Sequence, residues 1–200
     1  MRIVTARELE SWLTSGQVLE RDTRGPKVVA LPDGRFLKIF HTRRTALQSR
    51  LWPAARRFLH NTERLRARGV ATPGISEIFW LNRDKGLSAC LYTPLPGESL
   101  EKLLHDDAPK LELELPALAT FIRHLHSQGI YFRSLHLGNI LLIAPGRFGL
   151  IDVLDLRCYP FPLNRGLVRR NFEHLRSYLQ RRKLEHFPLD RLLALYQTSL

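Results

Sequence analysis

Apolar positions along the chain change their spacing near its middle, and the change divides the predicted elements into two sets. In the first 40 residues short apolar runs alternate with turn signals. Gln17-Val18-Leu19-Glu20 reads as a strand, Arg24-Gly25-Pro26 as a turn, and Lys27 to Leu31 as a second strand. Pro32-Asp33-Gly34 is a hairpin signal, and Arg35 to Phe40 returns as a third strand. An arginine-rich helical stretch follows, broken at Trp52-Pro53, since proline suits a first helical turn better than an interior. Its main helix is predicted from about Pro53 to Arg68, with a stop at Gly69. Ile75 to Leu81 and Leu87 to Thr93 read as two more strands.

Beyond Pro94 and Pro96-Gly97 the period becomes helical. Glu98 to Leu104 is a short helix candidate. Leu115, Leu118, Ile122 and Leu125 fall at i, i+3, i+7 and i+10, an amphipathic helix ending at Gly129. Ile140 to Ile143 and Gly149 to Val153 are short strands. Val168, Phe172, Leu175 and Leu179 mark another amphipathic helix, and a last one starts at about Asp190. The expected architecture is α+β and two-lobed. Residues 1–93 would form an antiparallel sheet with one helix, and residues 94–200 a shortened, mainly helical lobe.

Composition removes several classes. With 200 residues and 44% hydrophobic content, the chain can bury a core without staples. Two cysteines, Cys90 and Cys158, exclude a disulfide framework and a cysteine-only zinc site. No apolar run approaches the ~20 residues of a membrane-spanning helix. The charged start MRIVTARELESW does not read as a signal peptide, so a cytoplasmic protein is expected.

Charge then points to a partner class. The net charge is +12. Residues 43–68 hold eight arginines against Glu63 alone, and residues 165–183 hold seven basic residues against Glu173. Between them, residues 98–114 hold six acids and two lysines. Such asymmetry suits an anionic partner, or simply solvated helix faces.

The segment with most chemical content is Gly129-Ile130-Tyr131-Phe132-Arg133-Ser134-Leu135-His136-Leu137-Gly138-Asn139-Ile140-Leu141-Leu142, followed later by Ile151-Asp152-Val153-Leu154-Asp155. A helix stops at a glycine, a polar loop follows, and a strand begins. This resembles the catalytic loop and metal-binding strand of the protein-kinase-like fold, in its branch reading HxDLHxxN and then IDxxD. The resemblance implies ATP and Mg²⁺ as cofactors, with Asn139 and Asp152 as the metal-binding pair. Phosphoryl transfer is mostly positioning and charge neutralisation, and Mg²⁺ takes oxygen ligands. The same resemblance makes Lys38, in Leu37-Lys38-Ile39-Phe40, the lysine that reaches the nucleotide phosphates. Glu63, the sole acid of the arginine-rich helix, is its expected partner.

Arg24-Gly25-Pro26-Lys27-Val28, Asp33-Gly34, Gly69-Val70-Ala71-Thr72-Pro73 and Arg169-Arg170-Asn171-Phe172 resemble the bacterial lipopolysaccharide kinase family of Kdo/WaaP type, also known as toluene tolerance proteins. The resemblance implies ATP-dependent phosphorylation of a sugar hydroxyl of the lipopolysaccharide core. The partners would be a nucleotide, phosphorylated glycolipid, and the anionic inner membrane as a peripheral contact. Two departures stand out. The family's catalytic aspartate lies five residues before the asparagine, where this chain has Ser134, and its histidine is replaced by Phe132. No GxGxxG covers the phosphates. Serine cannot act as a base at neutral pH without help, and a base is typically worth about 10²–10⁴-fold. The sequence therefore leaves a weakened kinase or a pseudokinase that binds a nucleotide or a partner, and behind these a third reading, a basic RNA-linked kinase of the tRNA-modification type. No HExxH, GxSxG, RNP or zinc-finger pattern appears, so nothing but charge points to nucleic acid, which is not an expected partner.

Overall fold

The structure is a computed structural model that describes residues 1–41 and 45–198, with only the backbone of Ala46. Arg43 and Arg44 of the arginine run lie outside the described residues. The chain divides into two compact units. The first comprises Met1–Glu63 and Pro73–Pro94, the second Arg64–Thr72 and Leu95–Leu200.

The first unit begins with a helix that the turn signals did not announce, α1 (Ala6–Ser15). Thr5 caps it by accepting from the Glu8 backbone N–H at 3.2 Å. Leu9, Trp12 and Leu13 supply its apolar stripe, which packs on one face of the sheet. The strands are β1 (Gln17–Asp22), β2 (Gly25–Ala30), β3 (Phe36–Phe40), β4 (Gly74–Asn82) and β5 (Leu87–Thr93), in the order β1-β2-β3-β5-β4, every pair antiparallel. The meander expected between residues 17 and 40 is present. Helices α2 (Ala46–Leu51) and α3 (Ala54–Arg66) are inserted between β3 and β4. A serine of the sheet helps start α3: Ser88 Oγ accepts from the Ala55 N–H at 3.2 Å. The helix ends at Arg66, two residues short of the expected Arg68, in a turn closed by Val70 N–H to Leu65 O at 3.0 Å.

Strand periodicity decides which way Lys38 points. Leu37 and Ile39 enter the core with Val29, Phe79 and Leu91. Successive side chains alternate faces, so Lys38 lies on the other face with Phe36 and Phe40. That face meets α3 through Phe58, whose ring centroid is 5.4 Å from that of Phe40.

The second unit contains β6 (Glu98–Ser99), α4 (Leu100–Asp106), α5 (Ala108–Ser127), β7 (Ile130–Tyr131), β8 (Ile140–Ala144), β9 (Arg147–Leu150), β10 (Arg157–Cys158), α6 (Arg165–Arg182) and α7 (Leu189–Thr198). Leu115, Leu118, Ile122 and Leu125 are all buried, as their spacing predicts. Gly129 ends α5 at φ +69, where a Cβ would lie 2.5 Å from both Tyr159 O and Phe161 O. Only glycine lets the segment after β10 close so tightly on this turn. Beyond it β7 pairs with β10, and the β6-β8-β9 sheet carries the loop between. The strand expected over 149–153 stops at Leu150, because Asp152 adopts φ +52, ψ +49 and cannot continue a ladder. Among the described residues no helix is long and apolar enough to cross a membrane.

Candidate functional site

In the first unit, Lys38 Nζ sits 5.3 Å from the centroid of the Phe58 ring, within cation–π range. The expected Lys38–Glu63 pair is absent. Glu63 is exposed, and among the described residues its side chain forms no ion pair or hydrogen bond. The cause is helical phase. Glu63 follows Phe58 by five positions, about 140° around α3, and so turns away from the face that meets Lys38. The buried polar residue nearer that face is Asn61, three positions after Phe58.

The second unit gathers the loop residues. Register does the first part. In the β8–β9 hairpin Ile140 stands opposite Leu150, and one step further the Ile151 N–H donates to Asn139 O at 3.0 Å. Asn139 and Asp152 are thereby held on neighbouring, hydrogen-bonded segments. The left-handed Asp152 then starts a 3-10 turn, Val153–Asp155, which folds the chain back toward the loop.

That turn delivers a carboxylate to the degenerate position. Ser134 Oγ donates to Asp155 Oδ2 at 2.6 Å. Asp155 is part of the IDxxD stretch, and spacing alone assigns it no role beside Ser134. The only signal was its three-residue distance from Asp152, within reach of a single turn.

Asn139 is buried, and its amide orientation follows from chemistry. Asn139 Nδ2 donates to Ser134 O at 3.3 Å and contacts His136 Nε2 at 3.1 Å. A carbonyl can only accept, so the NH₂ group must point there, and Oδ1 is left as an acceptor. His136 Nε2 then accepts as well, which puts its proton on Nδ1. Burial pushes the His136 imidazole below its ordinary range, so the ring is neutral. Its Nδ1 is buried and makes no hydrogen bond. The ring stacks on Tyr178 at 4.3 Å between centroids. Tyr178 donates to Glu101, which also accepts two bonds from Arg182, from Nε at 2.9 Å and Nη2 at 2.6 Å. Burial pushes the Glu101 carboxyl up, but the hydrogen bonds from Tyr178 and Arg182 outweigh it and hold it below the usual carboxylate range. At Gly138 a Cβ would stand 2.9 Å from Glu101 Oε2, so the glycine permits this close approach.

A buried relay supports the loop from behind. Asn171 Nδ2 donates to Phe132 O at 2.7 Å, and Asn171 Oδ1 lies 3.0 Å from His126 Nε2. Tyr196 OH lies 2.8 Å from His126 Nδ1. Burial drives the His126 imidazole down to about 4, so it is neutral. Nε2 therefore donates to Asn171, and Nδ1 accepts from Tyr196. Of the two histidines in His124-Leu125-His126, one is exposed and one buried, as their spacing implies.

Among the described residues no three His, Cys, Asp or Glu side chains cluster as a metal cage. What the unit offers is an amide oxygen and a carboxylate on neighbouring, hydrogen-bonded segments, residue types that could hold Mg²⁺ together with phosphates and water.

No family model matches the chain, and no curated protein matches it. Solved structures do. A structure of WbdD matches with 19% identity and a TM-score of 0.50, covering 85% of this chain. A second, described as the bifunctional kinase-methyltransferase WbdD, matches with 19% identity and a TM-score of 0.51. A third, of WbdD with the kinase inhibitor LY294002, matches with 20% identity and a TM-score of 0.50. The chain spans only 41–42% of the length of these proteins. At this identity the likeness reaches the fold and not the narrower lipopolysaccharide kinase family. With its α+β architecture and five-stranded antiparallel sheet, the chain has the kinase-like fold seen in WbdD.

Proposed function

We propose that the protein is an ATP- and Mg²⁺-dependent phosphotransferase. Its acceptor would be a sugar hydroxyl of the lipopolysaccharide core, as the sequence resemblance implies. The observation that carries this reading is the hydrogen bond from Ser134 to Asp155, which supplies the carboxylate missing from the loop. Asn139 Oδ1 and the Asp152 carboxylate would hold Mg²⁺, which would neutralise charge on the transferred group. Lys38 would meet the nucleotide phosphates.

Ser134 alone is too weak a base. Hydrogen-bonded to Asp155, its hydroxyl can take a proton from the acceptor while passing its own to Asp155 Oδ2. Asn139 holds the backbone of Ser134 in place through the 3.3 Å bond to its carbonyl. Neutral His136 accepts the other amide hydrogen, so the amide cannot flip without breaking both contacts. Arg182 and Glu101 fix Tyr178, which sets the plane of the His136 ring. Glu63 has no part in the reading.

Phosphate release and nucleotide binding, measured on one sample, test it. The wild type is expected to bind ATP with Mg²⁺ and to turn it over. Asp152→Ala should abolish turnover. The serine at 134 also favours a second reading, a pseudokinase that only binds nucleotide. Binding with no turnover on any core-sugar acceptor, and no change with Asp155→Asn, would establish that reading instead.

A further inference from the structure

Away from the loop, α5, α6 and α7 line an open pocket of about 800 Å³. This is within the size range of small-molecule sites. Its chemistry is two-sided. Phe172, Tyr196, Val168 and Leu193 give it an apolar interior. Arg123, Arg165, Arg169 and Arg176 line it as well, against the single acid Glu173. Glu173 lies 3.5 Å from Arg169, which leaves three arginines without an acid in the lining.

Arg123 is the most constrained of them. Its guanidinium stands 5.0 Å from the Tyr196 ring centroid, and Nη2 donates to Leu195 O at 3.1 Å. Its Nε is buried with no hydrogen-bond partner. A buried, unsatisfied donor of a charged group is costly, and an anion bound among the arginines would offset the charge of that guanidinium. Guanidinium groups match phosphate geometry in particular. An apolar interior needs apolar ligand surface. The two requirements together describe an amphiphile with one phosphate head.

The floor of this cavity is also the outer end of the buried relay. Phe172 and Tyr196 pack edge-on at 4.9 Å, and both flank His126, at 5.8 and 5.5 Å. From His126 the hydrogen bonds run through Asn171 to Phe132 O, two residues before Ser134.

We propose that the cavity between α5, α6 and α7 is a binding site for an amphiphilic phosphate monoester, and that its occupancy is transmitted to the 132–139 loop through Tyr196, His126 and Asn171. The site goes beyond the phosphotransfer reading and does not depend on it, because binding is read directly. Allosteric coupling of this kind requires a ligand that favours one arrangement of a shared element, here the Tyr196 hydroxyl and the ring pair beneath it.

The test uses the full chain and decyl phosphate below its micelle concentration. Isothermal titration is expected to give one site per chain. Inorganic phosphate and the neutral decyl maltoside are each expected to bind about ten-fold or more weakly. The exposed double variant R165Q/R176Q should weaken decyl phosphate by a similar factor, as loss of charge-assisted phosphate bonds implies. Equal binding of decyl maltoside, or full affinity in R165Q/R176Q, would overturn the site. Vesicles containing phosphatidic acid form the second arm. Adsorption to vesicles without binding of soluble decyl phosphate would also overturn it, since that pattern describes a basic surface and not a cavity. Hydrogen exchange of residues 132–139 reads the coupling. Slowed exchange on adding decyl phosphate is expected, and unchanged exchange at saturation would refute the transmission through His126.

Discussion

The two units secure their candidate residues by opposite means. In the first, strand register places Lys38, with its ammonium over the Phe58 ring, and an apolar core on the other face of β3 fixes the register. In the second, Ser134, His136, Asn139 and Asp155 are placed by polar contacts to one another, within a stretch of 22 residues. Apolar placement tolerates changes at exposed neighbours, because position comes from burial. Polar placement does not, since removing one partner leaves the next unsatisfied. The loop should therefore be far more sensitive to conservative substitutions than the helix beside Lys38.

After the loss of turnover expected for Asp152→Ala, the largest effect should come at Asp155. Asp155→Asn keeps the shape and removes the proton acceptor, so kcat should fall by about 10²–10⁴-fold, with nucleotide KM unchanged. Steady-state kinetics in both substrates read the split, and a rise in KM alone would mean that Asp155 serves binding.

The relay behind the loop predicts a pH dependence. His126 titrates near 4 when folded and near 6.5 when unfolded. Between those values the unfolded chain binds the extra proton, so stability is full above about pH 6.5 and is lost as pH falls toward 4. The loss from this one group amounts to up to about 3 kcal/mol. Urea unfolding at a series of pH values should show it, and His126→Gln should flatten that slope.

Smaller still is the effect of Ser134→Asp. A second carboxylate 2.6 Å from where Ser134 now meets Asp155 creates like-charge repulsion. Thermal melts should show about 1 kcal/mol of destabilisation, and turnover should not rise. Glu63→Gln anchors the other end of the comparison. Stability should move by less than about 0.5 kcal/mol and kcat should not change. A large loss at Glu63 would end the contrast between the units.

The same contrast explains what the sequence revealed. The meander over residues 17–40 was legible because Asp33-Gly34 declares one turn locally and Gly25 borders the other, which lies at Thr23-Arg24 rather than over 24–26. The strand borders beside Asn139 and Asp152 were legible, since β8 begins right after one and β9 ends two residues before the other. The Ser134–Asp155 contact was not. It spans 21 positions and depends on a left-handed residue, which spacing does not announce. Being the sole acid of a helix says nothing about its face, so the outward position of Glu63 is not visible in the sequence. The relay was hidden for a third reason. His126 and Asn171 are 45 positions apart, and each alone reads as an ordinary helix residue.

Asp152 itself holds one more consequence. Its φ of +52 is open to glycine at no penalty and to asparagine and aspartate at little, while β-branched and bulky residues are strained there. The backbone thus filters the alphabet before any chemistry is asked of the side chain. A library randomised at this codon and sorted only for folded protein should already return three residues, Asp, Asn and Gly. Sorting the survivors for function would then choose among a carboxylate, its uncharged isostere and no side chain at all. Mutational drift at this position leads first to a quiet, well-folded protein that has lost its charge, and only afterwards to an unstable one.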